Sequence, residues 1–311
     1  MEPRNFTVLT EFILLGFSHS MEVQITFFVL FLLAYTVLLL GNLLIIFMVK
    51  TDSCLASLMN FLLCNLSFID ICYSSITTPR MLADLFSQKK TISYHNCMAQ
   101  LFLVHFVGAT EMFLLIVMAY DHYIAICKPL HYITIMNRYV CYALIAACWV
   151  GGFTHSIVQT GITMQIPFCG PNIIDNYFCD VAPVIKLSCT DTYVIELLMV
   201  SNSGLICLVC FLMLLISYII ILVTVRFHFT EGKWKALSTC ASHVMVVTLF
   251  FGPCIFIYLH PFSNSSADKV ISLINTILTP MLNPLIYTLR NKDVKDSMMK
   301  LWSRCIFFTE K

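Results

Sequence analysis

Seven long apolar runs, cations gathered mostly on one side of them, and a polar cluster where the third run stops predict an all-α membrane protein. The expected fold is a seven-transmembrane helix bundle followed by a short amphipathic C-terminal helix. Of 311 residues, 59% are hydrophobic and only 11% charged, and the mean hydropathy is +0.87. That leaves too little polar material to clothe a water-soluble globule, so lipid is the partner the composition requires. A net charge of +1 gives no sign of a nucleic-acid partner.

A helix needs about 20 apolar residues to cross roughly 30 Å of hydrocarbon. Such runs fall near 25–49, 58–79, 98–120, 139–161, 196–224, 236–259 and 271–289. Twelve cations, among them Lys50, Lys128, Arg138, Arg226 and Arg290, flank one side, and six, among them Arg80, Lys89, Lys186 and Lys269, flank the other. The positive-inside rule then makes 1–24 an extracellular N-terminus, 25–289 the membrane domain and 290–311 a cytoplasmic tail in a multi-pass plasma-membrane protein. The first 24 residues hold acids and one short apolar patch, Phe12 to Phe17, so the first span is the expected signal anchor.

Taken in order, Asn5-Phe6-Thr7 is a glycosylation sequon on the outer side. Asn42 in the first span needs a hydrogen-bond partner on another helix, and Asp70 in the second is the expected one. An acid in hydrocarbon marks a functional position facing the bundle interior. Glu111 lies at a similar depth in the third span, and two such carboxylates repel unless one is protonated or a cation sits between them. Of fifteen cysteines, topology puts Cys97, Cys169, Cys179 and Cys189 on the oxidising side, where four thiols allow three pairings. Their spacing does not match that of zinc sites.

On the third span Val104, His105, Gly108, Ala109 and Met112 share one face in the outer half. Small residues there leave room, although they serve close helix packing equally well. A cavity is favoured by matching sets on the fifth, sixth and seventh spans: Met199, Asn202 and Ile206; Phe251, Ile255 and Tyr258; Thr276 and Thr279. Apolar and aromatic walls with a few hydroxyls and amides, and no acid or base squarely among them, suit a small, weakly polar, volatile molecule and not a charged amine.

Pro253 in the sixth span and Pro280 and Pro284 in the seventh leave carbonyls without their usual donors and kink their helices, which can then swing. The inner ends carry Tyr218, Lys235, His243 and Tyr287 near Asp121, His122 and Tyr123. The stretch Met118 to Tyr132 reads as a water-facing helix mouth whose polar cluster is made and broken by that movement, and Lys128-Pro129 ends the helix. Val294 to Phe308 reads as an amphipathic helix lying on the membrane surface.

Met118-Ala119-Tyr120-Asp121-His122-Tyr123 and the following Ala125-Ile126-Cys127-Lys128-Pro129-Leu130-His131-Tyr132 resemble the third-helix end of odorant receptors, a branch of the rhodopsin-like G protein-coupled receptors. Pro280 to Tyr287, Lys235 to His243, Gly41-Asn42 and Leu66 to Asp70 extend the match over nearly the whole chain. Two departures stand out: His122 replaces the family's Arg, and Ala56-Ser57-Leu58-Met59-Asn60 lacks the proline usual before the second span. The resemblance implies a receptor, not an enzyme, that binds a small-molecule odorant and activates the olfactory stimulatory heterotrimeric G protein to raise cyclic AMP. It also implies Cys97–Cys179 and Cys169–Cys189 disulfides, and a sodium ion at Asp70 and Glu111 as the sole expected cofactor. His122 keeps a coupling-impaired or nonfunctional receptor as an alternative. A seven-span transporter is a further one, weakened by the lack of an internal repeat.

Overall fold

A computed structural model describes residues 10–17, 20–51, 57–87, 89–168, 172–189, 193–228, 233–259, 266–290, 294 and 298–299. The chain begins with β1 (Glu11–Leu14), α1 (Met21–Thr51), α2 (Leu58–Phe86), β2 (Thr91–Ser93) and α3 (Tyr94–Cys127). A 3-10 turn at Pro129–His131 leads into α4 (Tyr132–Ile135), α5 (Arg138–Met164), β3 (Ile173–Ile174) and α6 (Val181–Ile185). Then come α7 (Tyr193–His228), α8 (Lys233–Leu259), α9 (Ser266–Leu273), a π turn at Ile274–Leu278 and α10 (Thr279–Arg290).

Among the described residues, seven helical stretches are long and apolar enough to cross a membrane, carried by α1, α2, α3, α5, α7, α8 and the run from α9 into α10. Leu33, Leu40, Leu205 and Ile219 stand exposed, whereas Asn42, Asp70, Thr110 and Glu111 are buried. Apolar outside and polar inside is the arrangement of a bundle whose solvent is hydrocarbon. Central in it, α3 packs against α2, α5, α7 and α8.

Several helices run past the apolar runs read from the sequence, and polar caps mark the starts of three of them. Ser57 Oγ accepts the Asn60 N–H at 3.3 Å, Ser93 Oγ the Asn96 N–H at 3.3 Å, and Asn137 Oδ1 the Val140 N–H at 3.0 Å. Ser57 thereby supplies the start signal for α2 that the absent proline does not. The first span begins at Met21, inside the predicted N-terminal segment. α3 continues seven residues past the predicted 120, which corrects the reading of Asp121 and His122 as a water-facing mouth: both are buried within the helix, at 1% and 4% exposure.

A proline has no N–H to meet the carbonyl four residues earlier. In three places a side chain on another helix takes that carbonyl. Thr279 Oγ1 donates to Leu249 O at 3.3 Å, across from Pro253; Ser74 Oγ donates to Thr276 O at 2.7 Å, across from Pro280. Asn42 Nδ2 donates to Pro280 O at 3.0 Å, across from Pro284, and also to Leu38 O at 3.1 Å. Asn42 is therefore partnered by a proline-freed carbonyl and not by Asp70, as the sequence suggested. Two glycines admit the close approaches. A Cβ on Gly41 would lie 3.3 Å from Pro284 Cβ, and one on Gly152 would fall 2.2 Å from Thr110 Oγ1 and 2.8 Å from the Phe106 carbonyl.

One end of the bundle carries a small sheet that an all-α expectation omits. β1 runs antiparallel to β2, with Phe12 opposite Ile92, and parallel to β3, with Ile13 opposite Ile173. The patch at Phe12 follows the two-residue period of a strand: Phe12 and Leu14 are buried with Ile92 and Ile174 around the Cys97–Cys179 disulfide, while Glu11 faces out. The S–S distance is 2.02 Å. Cys189 is disulfide-bonded, and Cys169, the mate that the resemblance implies, lies outside the described residues. So do Asn5 and the proposed C-terminal helix, apart from Val294, Met298 and Met299.

Candidate functional site

The disulfide fastens the segment after Cys179 to the start of α3, and Asp180, Val181, Ala182 and Ile185 of that segment wall one side of a cavity between the helices. Its volume is about 160 Å³, close to the roughly 150 Å³ that accommodates benzene in an engineered protein cavity. Val104, His105, Gly108, Ala109 and Met112 line it from α3, Met199 from α7 and Thr276 from the π turn.

On the neighbouring helices Met199 and Thr276 line the cavity as named from the sequence, and the other positions on α7 and α8 are one residue out. α7 presents Met199, Ser203 and Cys207, and α8 presents Phe250, Cys254 and Ile257, where Asn202, Ile206, Phe251, Ile255 and Tyr258 were expected. One residue is 100° of helix rotation. Phe251 is fully buried in the bundle core against Phe211 and Phe250, with Ile206 and Ile255 packed on the same core. Asn202 stands behind the wall, its Nδ2 donating to Gln159 Oε1 at 3.0 Å and lying 3.4 Å from His155 Nδ1. Thr279 is occupied with the Leu249 carbonyl. The Tyr258 side chain lies outside the described residues.

Sequence reasoning missed Tyr73 of α2, His155 and Gln159 of α5, and Asp180 of the closing segment. His155 and Gln159, one turn apart in a lipid-crossing helix, were a legible sign, since polar groups there face inward. Asp180 corrects the expectation of a cavity without an acid. Its Oδ1 caps α6 by accepting the Val181 N–H at 2.7 Å and lies 3.8 Å from His105 Nε2. Burial holds this carboxyl above the usual aspartate range, with the Val181 N–H pulling the other way. The lid itself is pinned by Tyr177, whose hydroxyl pairs with Thr276 Oγ1 at 3.0 Å, and by Gln100 Oε1, which accepts the Cys179 N–H at 3.0 Å.

Below the cavity, Asp70 accepts Asn283 Nδ2 on both carboxylate oxygens at 3.1 Å. Both Glu111 oxygens and Asn283 Oδ1 are buried without a hydrogen-bond partner. Among the described residues no three His, Cys, Asp or Glu side chains are grouped to hold a metal ion. The oxygen-only set of Asp70, Glu111 and Asn283 fits a hard cation, and its unmet oxygens are what such an ion would satisfy.

At the opposite end of α3, the His122 ring meets the His243 ring edge-on at 5.1 Å, and the Tyr218 hydroxyl bonds to His243 Nδ1. α3, α7 and α8 are joined here through two imidazoles and a phenol. Asp121 turns instead to the loop: Tyr132 donates its hydroxyl to Asp121 Oδ1 at 2.8 Å. Burial first, and then the neighbouring carboxylate, raise the Tyr132 phenol and keep it a donor. Tyr123 packs beside Ile124 and Met136. Tyr287 is buried in the core with no hydrogen-bond partner for its hydroxyl among the described residues, and the Lys235 side chain lies outside them.

The olfactory receptor family profile matches residues 31–305. Human olfactory receptor 4Q2 is 60% identical over 98% of this chain and 97% of its own length. Human olfactory receptor 4N5 is 57% identical over 99% and 100%, and mouse olfactory receptor 4M1 is 54% identical over the full length of both. With seven apolar helices around a ligand-sized cavity, this chain belongs to the olfactory receptor family, multi-pass membrane receptors of the G protein-coupled class that sense odorants.

Proposed function

We propose that the protein binds a small volatile molecule in the cavity beneath the Cys97–Cys179 lid and activates the olfactory stimulatory G protein, raising cyclic AMP. The observation that carries this reading is the cavity of about 160 Å³ lined on α3, α7 and α8, the helices that the His122–His243–Tyr218 contact joins at the other end. A ligand that repositions α8 against α3 loosens that contact, and a cleft opens for the G protein. The excess of cations beside the α3, α8 and α10 ends supports an extracellular N-terminus and a cytoplasmic C-terminus. Asp70 and Glu111 would hold a sodium ion, whose charge lets two close carboxylates stay ionised together.

The test is an odorant panel read by cyclic AMP in cells with confirmed surface display. An agonist found this way should lose its effect on Gly108→Leu, which fills the cavity beside Tyr73. A full agonist response in that variant at equal display would refute the cavity.

A further inference from the structure

The cavity is chemically lopsided. At its mouth end stand Asp180 and His105, with His155 beyond, its ring 6.0 Å from that of His105. Met112, Ala109, Cys207 and Phe250 form an apolar wall, and Ser203, Asn275 and Thr276 add neutral polar groups without charge. Asp180 accepts one hydrogen bond, from Val181, and its other oxygen has no hydrogen-bond partner among the described residues. His105 Nε2 is buried and likewise unpartnered. No Lys or Arg lines the cavity, and the nearby cations are engaged elsewhere: Lys269 with Asp175 at 2.5 Å and Arg80 with Asp84 at 2.9 Å.

Asp180 Oδ1 and His105 Nε2 are 3.8 Å apart, too far to bond to each other. An atom placed between them sits about 2.8 Å from both, which is ordinary hydrogen-bond distance. A carboxylate only accepts, and an imidazole with its proton on Nδ1 presents Nε2 as an acceptor. With His105 in that tautomer, the group that satisfies both donates twice. A carbonyl donates nothing, a hydroxyl donates once, and a carboxylate adds a like charge.

We propose that this receptor's ligands are small protonated amines, with the ammonium between Asp180 and His105 and the hydrocarbon body against Met112 and Phe250. This specifies the ligand class of the cavity and rests on the reading of that cavity as the binding site. It replaces the weakly polar ligand that the sequence suggested, because the acid is supplied by the lid and not by a membrane span. Asp180 at the head of α6 has a structural role as well, as a helix N-cap. Asn and Ser cap as well as Asp does, so Asp180→Asn and Asp180→Ser preserve the cap while removing the charge.

The test measures ligand-induced thermal stabilisation of detergent-purified receptor, which needs no G protein and so separates this proposal from the coupling reading. The probes are two matched sets, benzyl and n-pentyl, each as the amine, alcohol, aldehyde and carboxylate. In at least one set the amine should bind tightest and the carboxylate weakest, with amine over aldehyde by roughly tenfold or more, the range one charge-assisted hydrogen bond supplies. Both Asp180 variants should erase that preference while keeping the wild-type melting behaviour without ligand. Aldehydes or carboxylates binding as well as amines in both sets overturns the proposal. So does an absence of amine binding, or an amine preference that survives loss of the Asp180 charge. The ranking within wild-type receptor decides the matter alone if neither variant folds.

Discussion

Thr279→Val exchanges a hydroxyl for a methyl of nearly the same shape at a fully buried position, so its effect isolates one hydrogen bond. That bond, 3.3 Å long, satisfies the Leu249 carbonyl opposite Pro253 and ties α10 to α8 beside that proline. Interhelical hydrogen bonds within membranes contribute about 0.6 kcal/mol on average and about 1.7 at most. The Thr279 side chain is fully buried, which places the cost toward the upper end. A loss of about 1–1.7 kcal/mol corresponds to a melting temperature lower by roughly 2–5 °C for a protein of this size. The assay is thermal unfolding of purified receptor followed by a thiol-reactive dye, which reports exposure of buried cysteines such as Cys210 and Cys240. Thr248→Val is the control, since its exposed hydroxyl bonds to Val244 O within its own helix at 2.8 Å. In a Pro253→Ala background, where residue 253 regains an N–H, Thr279→Val should cost less, and the shortfall measures the coupling. An equal cost with and without Pro253 would refute the pairing of proline and donor.

Gly152→Ala should cut surface display severely, because a methyl there overlaps Thr110 Oγ1 and the Phe106 carbonyl, whereas Gly161→Ala, with open space around it, should be neutral; flow cytometry of tagged receptor compares them. Cys97→Ser should abolish display, since removing a native disulfide costs about 2–5 kcal/mol and this one sits at the centre of the lid's packing; normal display with both cysteines mutated would contradict this. His122→Arg, restoring the usual family residue, should raise the maximal cyclic AMP response at matched display without changing ligand ranking, because a permanently charged guanidinium reaches farther into an opened cleft than a buried imidazole. An unchanged or lower maximum would mean that the His122–His243 contact is a working form of the switch.

The spans were legible because hydropathy over about 20 residues leaves no other solution in a bilayer. Their rotation was much less so. In a soluble helix polarity marks the outer face, but here lipid-facing Leu205 and cavity-lining Val200 are both apolar, and nothing in the local pattern separates them. That explains why Ile206 on α7 and Phe251 and Ile255 on α8 were named one residue away from the cavity wall, while on α3 the face carrying Gly108 lines it. The roles of Asn42, Ser74 and Thr279 were hidden for a different reason. Each looks like an isolated polar group until the carbonyl that a proline four residues away cannot serve is found beside it. Asp180 was overlooked because loops are usually taken for surface. Yet Cys179 beside it was already expected to be tied to the head of α3, which places the next residue over the cavity.

Nucleotide exchange on purified olfactory stimulatory G protein, catalysed by purified receptor in lipid nanodiscs, tests the central claim most directly. An agonist from the cell panel should accelerate exchange with wild-type receptor and leave Gly108→Leu at its basal rate. Exchange indifferent to the agonist, or equally accelerated in the filled variant, would contradict a cavity that drives the distant α3–α8 contact.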